Sequence, residues 1–93
     1  MHLILYSKPG CHLCEGLEEK LRAITTIALE LEVRDITQDE AAFQAYQYEI
    51  PVLYVQTDSG ELLPTPRQSP RASIAQITKM LQPFTLQTTD PTI

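Results

Sequence analysis

Residues 6–14 read Tyr6-Ser7-Lys8-Pro9-Gly10-Cys11-His12-Leu13-Cys14 and contain both cysteines of the 93-residue chain. The apolar run before the cysteines, residues 2–6, ends at Pro9-Gly10 and is typical of a strand buried on both faces. After it, apolar residues recur at spacings of three and four, which predicts an amphipathic helix beginning at about Cys11. Its expected buried stripe consists of Cys14, Leu17, Leu21, Ile24 and Ala28. The cysteine pair is thus predicted at a strand-to-helix junction.

A second strand and a second helix follow in the pattern. Residues 29–36 alternate apolar and charged side chains, which indicates a strand with one solvated face. The side chains expected on its buried face are Leu29, Leu31 and Val33. Thr37 and Glu40 fit a capping box, so a short helix is predicted to run to about Tyr46. Phe43 and Tyr46 are expected to pack inward.

The second half of the chain predicts a hairpin and a last helix. Residues 50–55 favour a strand, residues 58–60 a turn and residues 61–63 a short returning strand. Ser69 and Pro70 fit the N-cap and first position of a helix. The buried stripe of that helix is expected to be Ile74, Ile77 and Leu81.

The resulting order of elements is βαβαββα. Its first half is a βαβ unit with parallel strands, and its second half is a β-hairpin followed by a helix. We therefore predict an α/β fold with a four-stranded mixed sheet covered by helices. Residues 1–82 are expected to form one domain, and residues 83–93, which have no apolar period, a flexible C-terminal tail.

Composition excludes several classes of function. Twelve acidic side chains against seven basic ones give a net charge of −5, the wrong sign for binding phosphate backbones or anionic lipid. No stretch matches a signal peptide or the roughly 20 apolar residues of a membrane span. Two cysteines are too few for a secreted disulfide scaffold. We expect a cytoplasmic protein with no nucleic-acid or membrane partner.

The position of the two cysteines predicts thiol redox chemistry. Residues three apart on a helix are neighbours, so Cys11 and Cys14 can form a disulfide with little backbone movement. A thiol at a helix N-terminus has its pKa lowered from about 8.5 to the range of about 3.5 to 7.5. Cys11 would then attack a substrate disulfide, and Cys14, on the buried stripe, would resolve the mixed disulfide.

Neighbouring charges and other uses of the pair are also part of this prediction. Lys8 and protonated His12 favour a Cys11 thiolate, and Glu15 opposes it.

Three other interpretations of the cysteine pair remain open, namely a structural disulfide, two inert core thiols, and a zinc site completed by His2 and His12. The remaining basic candidates, Arg67 and Arg71, either meet an anionic partner or are exposed arginines near the last helix.

These motifs carry a family resemblance. Residues 6–14, together with Glu49-Ile50-Pro51-Val52-Leu53, resemble the glutaredoxin branch of the thioredoxin superfamily over residues 2–82. The resemblance implies a thioredoxin-like fold and an enzyme, a thiol–disulfide oxidoreductase with Cys11 as nucleophile and Cys14 as resolving cysteine. It also implies that Ile50-Pro51 is a cis peptide whose Ile50 backbone pairs with the substrate cysteine. Lys8 would bind the glycyl carboxylate of glutathione, and the other residues expected at the substrate are His12 and Leu13.

The chain departs from the family pattern at two places. Residues 66–71 read Pro66-Arg67-Gln68-Ser69-Pro70-Arg71 where glutaredoxins usually have a Gly-Gly-x-Asp type segment, which holds the γ-glutamyl end of glutathione. Leu13 stands where the common Cys-Pro-Tyr-Cys site has tyrosine.

The expected partners follow from this resemblance. The substrates are protein disulfides or glutathione mixed disulfides, and the reductant is either glutathione or an enzyme of the thioredoxin-reductase type. We expect a monomer without a metal or a tightly bound cofactor, with glutathione as a candidate co-substrate. The alternative is a non-catalytic thioredoxin-fold interaction module, or a [2Fe-2S] cluster carrier in which Cys11 of two subunits binds the cluster.

Overall fold

One mixed sheet organises residues 1–87, which are the residues described by the computed structural model. Its strands are β1 (His2–Ser7), β2 (Glu30–Asp35), β3 (Val52–Gln56) and β4 (Leu62–Pro64). They lie in the order β2-β1-β3-β4, with β1 parallel to β2 and antiparallel to β3, and β3 antiparallel to β4. The predicted mixed four-stranded sheet is therefore confirmed.

Helices connect and cover the strands. The α-helices of residues 1–87 are α1 (His12–Arg22), α2 (Glu40–Tyr46) and α3 (Ile74–Leu81). Because parallel strands need a crossover connection, α1 carries the chain from β1 back to the start of β2. Short 3-10 helices at Ile36–Gln38 and Gln82–Gln87 complete the order. The predicted α/β class, a thioredoxin-like fold, is confirmed.

The main core fills the space between one face of the sheet and the helices α1 and α3. Leu3 and Leu5 of β1 point to this face, and the alternation of side chains along the strand sends the fully buried Ile4 to the opposite face. β1 is therefore buried on both faces, as its unbroken apolar run predicts. The buried members of the main core are Leu3, Leu5, Leu21, Ile24, Ile27, Leu53, Val55, Ala72, Ile77 and Leu81.

The buried stripes differ from the prediction at three positions. α1 ends at Arg22, so Ile24 and Ile27 reach the core from the connection to β2 and Ala28 is exposed. Val33 is exposed because β2 is an edge strand beyond the centre of the core. Ile74 is exposed because it is the first residue of α3, whose later turns carry the buried residues.

The predicted helix starts at Thr37 and Ser69 are wrong. Asp39 is the N-cap of α2 and accepts the Ala41 N–H at 3.0 Å, and the preceding 3-10 helix ends before it. Ser73 is the N-cap of α3 and forms a capping box with Gln76. In both places several capping side chains lie within a few residues, and the path of the backbone selects the one that caps. The predicted end of α2 at Tyr46 is confirmed.

The end of the chain divides into two parts. Residues 82–87 form the last 3-10 helix, and Phe84 packs against the main core, where we expected a tail. The rest of that expected tail, residues 88–93, lies outside the described residues. Within residues 1–87, no helix is long and apolar enough to cross a membrane.

Candidate redox site

The cysteine pair lies at the junction between β1 and α1. Gly10 has a φ of 80°, a left-handed conformation that glycine adopts without steric cost, and it turns the chain from the strand into the helix. The Cys11 N–H donates to the Lys8 carbonyl at 3.3 Å and closes this turn. Cys11 is the N-cap of α1, and Cys14 lies in its first turn. A disulfide joins the two residues, whose Cα atoms are 5.3 Å apart.

The two sulfur atoms have different environments. Cys11 is half-buried, whereas Cys14 is only 1% exposed. The Cys14 N–H donates to Cys11 Sγ at 3.2 Å, so the sulfur takes the place of a capping oxygen at the helix N-terminus. A negative charge on Cys11 would be favoured there by this amide and by the positive end of the helix dipole. The expected asymmetry, an accessible first cysteine and a covered second one, is present.

The charged neighbours of Cys11 are exposed. The Lys8 ammonium makes no hydrogen bond or ion pair with any described residue. The side chain of His12 is 94% exposed, and its Nδ1 lies 3.5 Å from the Glu15 carboxylate. Exposed pairs of this kind contribute less than about 1 kcal/mol. The helix N-terminus is therefore the main feature that favours a negative charge on Cys11.

A cavity of about 440 Å³ opens beside the cysteine pair. Its walls come from α1 between His12 and Lys20, from residues 51–54 at the start of β3, and from residues 64–70. Tyr46, Glu49 and Ile77 complete the lining. Of the sequence-predicted site residues, His12, Leu13 and Pro51 line it. The remaining ones, which do not line it, are Lys8, Cys11, Cys14 and Ile50. Leu13 is 52% exposed, so an apolar side chain is presented to solvent between the two cysteines.

The segment before β3 brings Pro51 to the cavity. The Ile50–Pro51 peptide bond is cis, as the resemblance implies. The Ile50 N–H donates to the Tyr46 carbonyl at 3.1 Å, which ties this segment to the end of α2. Ile50 is half-buried.

Three tyrosines form a cluster next to the cavity. Tyr6, Tyr46 and Tyr54 have ring centroids 4.7, 6.0 and 6.3 Å apart in the three pairs. The hydroxyls of Tyr46 and Tyr54 are 3.1 Å apart, and both residues line the cavity. This hydrogen bond, then burial and nearby negative charge, raise the pKa of Tyr46 to about 12. Arg34 stacks over the Tyr6 ring at 5.9 Å from its centroid.

Several polar side chains that line the cavity are absent from the sequence-predicted site, among them Lys20, Tyr54 and Gln68. Tyr54 carries the one side-chain hydroxyl in the apolar run of residues 50–55, and this hydroxyl is the only local signal for its place at the cavity. Arg67 is exposed, as one of the two interpretations expects, but it lies six residues before the N-cap of α3, lines the cavity and donates to the Glu49 carbonyl at 2.7 Å. Arg71 is exposed. Among the described residues, no group of three or more His, Cys, Asp or Glu side chains is arranged to hold a metal ion.

A mixed four-stranded sheet with a Cys-x-x-Cys pair where β1 meets α1 defines a protein of the thioredoxin superfamily. The chain belongs to the glutaredoxin-like domain family (DUF836), whose model matches residues 2–82. Among solved structures, it is similar to the X-ray structure of the Northeast Structural Genomics target protein XcR50 from X. campestris. The two sequences are 27% identical, and the match covers 87% of this chain and 96% of that one with a TM-score of 0.57. No curated protein matches the chain.

Proposed function

We propose that the protein is a thiol–disulfide oxidoreductase that uses Cys11 and Cys14 to reduce protein disulfides or glutathione mixed disulfides. The observation that carries this proposal is the asymmetric pair at the start of α1. Cys11 is half-buried at the helix N-terminus, and Cys14 is buried and within disulfide distance of it. One sulfur is therefore open to a substrate, while the other meets only its neighbour.

The reaction begins with the reduced dithiol. The Cys11 thiolate attacks one sulfur of the substrate disulfide, and the other substrate sulfur leaves as a thiolate. Cys14 then loses its proton to solvent and attacks Cys11 Sγ. The Cys11–Cys14 disulfide forms, and the second substrate sulfur leaves as a thiolate. Two electrons pass from the dithiol to the substrate.

The residues around the pair support each step. The Cys14 N–H at 3.2 Å favours the attacking form of Cys11 because it donates to that sulfur. Burial of Cys14 favours the intramolecular second step over a reaction with solvent oxidants. The cavity lined by Leu13 and Pro51 holds the part of the substrate that flanks its cysteine. Lys8 binds the glycyl carboxylate of glutathione, and the Ile50 carbonyl pairs with the backbone of the substrate cysteine, because the Ile50 N–H already donates to Tyr46.

The catalytic cycle closes when a reductant opens the Cys11–Cys14 disulfide. We propose glutathione or an enzyme of the thioredoxin-reductase type as that reductant, with glutathione as a co-substrate in the first case. The protein acts as a monomer in the cytoplasm, where such reductants hold thiols reduced.

The test compares Cys11→Ser with Cys14→Ser, each of which replaces one sulfur by oxygen. With insulin and a glutathionylated peptide as substrates, Cys11→Ser is expected to show only the background rate. Cys14→Ser is expected to accumulate a mixed disulfide with the substrate, visible by intact mass spectrometry under non-reducing conditions. A Cys11→Ser variant that reduced these substrates at the wild-type rate would refute the assignment.

A further inference from the structure

Residues 66–71 lie between β4 and α3, and all of them except Arg71 line one wall of the cavity. Pro66 and Pro70 have no N–H to donate. The hydrogen bonds that Gln68 and the Arg71 N–H donate stay inside the segment, at 3.2 Å and 3.1 Å. Among the described residues, no backbone–backbone hydrogen bond joins these six residues to the sheet or to another helix. The segment is tied at its two ends, by Thr65, whose N–H and hydroxyl both donate to the Leu53 carbonyl, and by Ala72, which is buried in the main core. Between these ends it depends on side chains.

Two cationic side chains connect this wall to other parts of the chain by hydrogen bonds, one near each end. Lys20 on α1 donates from Nζ to the Pro70 carbonyl at 2.9 Å and to the Ala72 carbonyl at 2.7 Å. Arg67 donates to the Glu49 carbonyl at 2.7 Å, next to the cis peptide. Hydrogen bonds from a charged donor are stronger than those between neutral groups.

Lys20 has no competing partner for its charge. Its ammonium makes no ion pair with a carboxylate among the described residues, and the side chain is half-buried. Lys20 lies four and seven residues after Gly16 and Leu13, so the three share one face of α1, and all three line the cavity. The bonds of Lys20 thus span from the helix that carries the cysteines to the opposite wall.

We propose that Lys20 and Arg67 are positioning residues that hold residues 66–72 as a fixed wall of the cavity and thereby set its affinity for the disulfide substrate. The statement about substrate affinity rests on the proposed function, and the statement about the wall does not. A wall that is already ordered lowers the cost of ordering the site when the substrate binds. When one of these two anchors is removed, the segment opens toward solvent more often.

Trypsin measures the wall directly, because it cleaves after Arg67 and Arg71. Proteolysis of a transiently opened segment follows the population of the open form. We expect Lys20→Met to raise the cleavage rate after Arg71 about tenfold, which corresponds to about 1.4 kcal/mol. Lys79→Met, which changes an exposed lysine of α3, is the matched control. It should be cleaved after Arg71 at the wild-type rate. Lys20→Arg keeps the charged donor and should restore most of the protection.

Steady-state kinetics test the link to substrate. Lys20→Met should raise KM at least about fivefold with kcat within about twofold, because the two sulfurs stay in place and only binding energy is lost. Lys79→Met should change neither constant. If the wild-type protein reduces no disulfide, the proposed function fails, and the trypsin comparison still decides the role of the wall.

Two results would overturn the inference. The wall assignment is wrong if Lys20→Met is cleaved after Arg71 at the rate of Lys79→Met. The link to substrate affinity is wrong if cleavage accelerates and KM stays unchanged. Circular dichroism establishes that the variants fold, and if Lys20→Met does not, Arg67→Met, read at Arg71, gives the same decision.

Discussion

Replacing Tyr46 by phenylalanine should change how stability depends on pH. The Tyr46 hydroxyl lies 3.1 Å from that of Tyr54. This bond, with burial and nearby negative charge, raises the pKa of Tyr46 from 10.0 to about 12 in the folded protein. A raised pKa means that the folded state holds the proton more firmly than the unfolded state. The contribution to stability is therefore complete below pH 10 and is lost as the pH rises from about 10 to about 12.

The size of the effect follows from the two pKa values. At pH 11 the unfolded side chain, with a pKa of 10.0, is mostly ionised, and the folded one, with a pKa of about 12, is mostly neutral. Linkage then removes about 1.4 kcal/mol of wild-type stability between pH 8 and pH 11, an upper bound because Tyr46 is partly exposed. Tyr46→Phe has no proton to lose in this range. At pH 8 the substitution lowers the free energy of unfolding by about 1 kcal/mol, because it removes one hydrogen bond.

Urea unfolding of the oxidised protein at pH 8, 10 and 11 measures this difference, since no thiol ionises in that form. Tyr46→Phe should be about 1 kcal/mol less stable than the wild type at pH 8 and about equally stable at pH 11. Tyr48→Phe is the matched control, because Tyr48 is 92% exposed, and it should follow the wild type at every pH. A stability gap between Tyr46→Phe and the wild type that is the same at pH 8 and pH 11 would show that the reasoning is wrong.

Two further substitutions test the local energetics of the fold by urea unfolding at pH 7. Ser73→Ala removes the acceptor for the Gln76 N–H in the capping box of α3 and should lower the free energy of unfolding by about 1 kcal/mol; no change would mean that the box does not stabilise the helix. Leu5→Ala empties a fully buried position of β1 and should cost about 2 to 5 kcal/mol. The exposed Val33 is its control, and equal losses in Leu5→Ala and Val33→Ala would contradict the placement of the core.

The caps show where local patterns stop being sufficient. Thr37 and Asp39 can both cap α2, and Ser69 and Ser73 can both cap α3, because each carries an oxygen that accepts a backbone N–H. The choice depends on where the backbone leaves its extended conformation. The residue at which this happens is set by how the helix docks on the sheet, and the spacing of residues in the sequence does not specify that docking.

The candidate site was predicted at the Cys11–Cys14 pair, from local signals, and at the cis Ile50–Pro51 peptide, from the family resemblance. The Cys11–Cys14 pair was expected at the start of a helix, because a strand ending at Pro9-Gly10 and an apolar period after it are local signals. The cavity beside the pair was not expected. Its walls join residues far apart in the chain, such as Lys20 and Pro70, which are 50 positions apart.

The sequence by itself determined the order of elements, the sheet type and the position of the cysteines, since hydrophobic period, turn residues and helix starts are properties of short stretches. Only the tertiary structure decided that Lys20 and Arg67 donate to distant backbone carbonyls at the cavity and that the Tyr46 and Tyr54 hydroxyls form a hydrogen bond. Those contacts depend on the register of strands and on the docking of helices. They arise only when the main core has brought distant segments to within a hydrogen bond of each other.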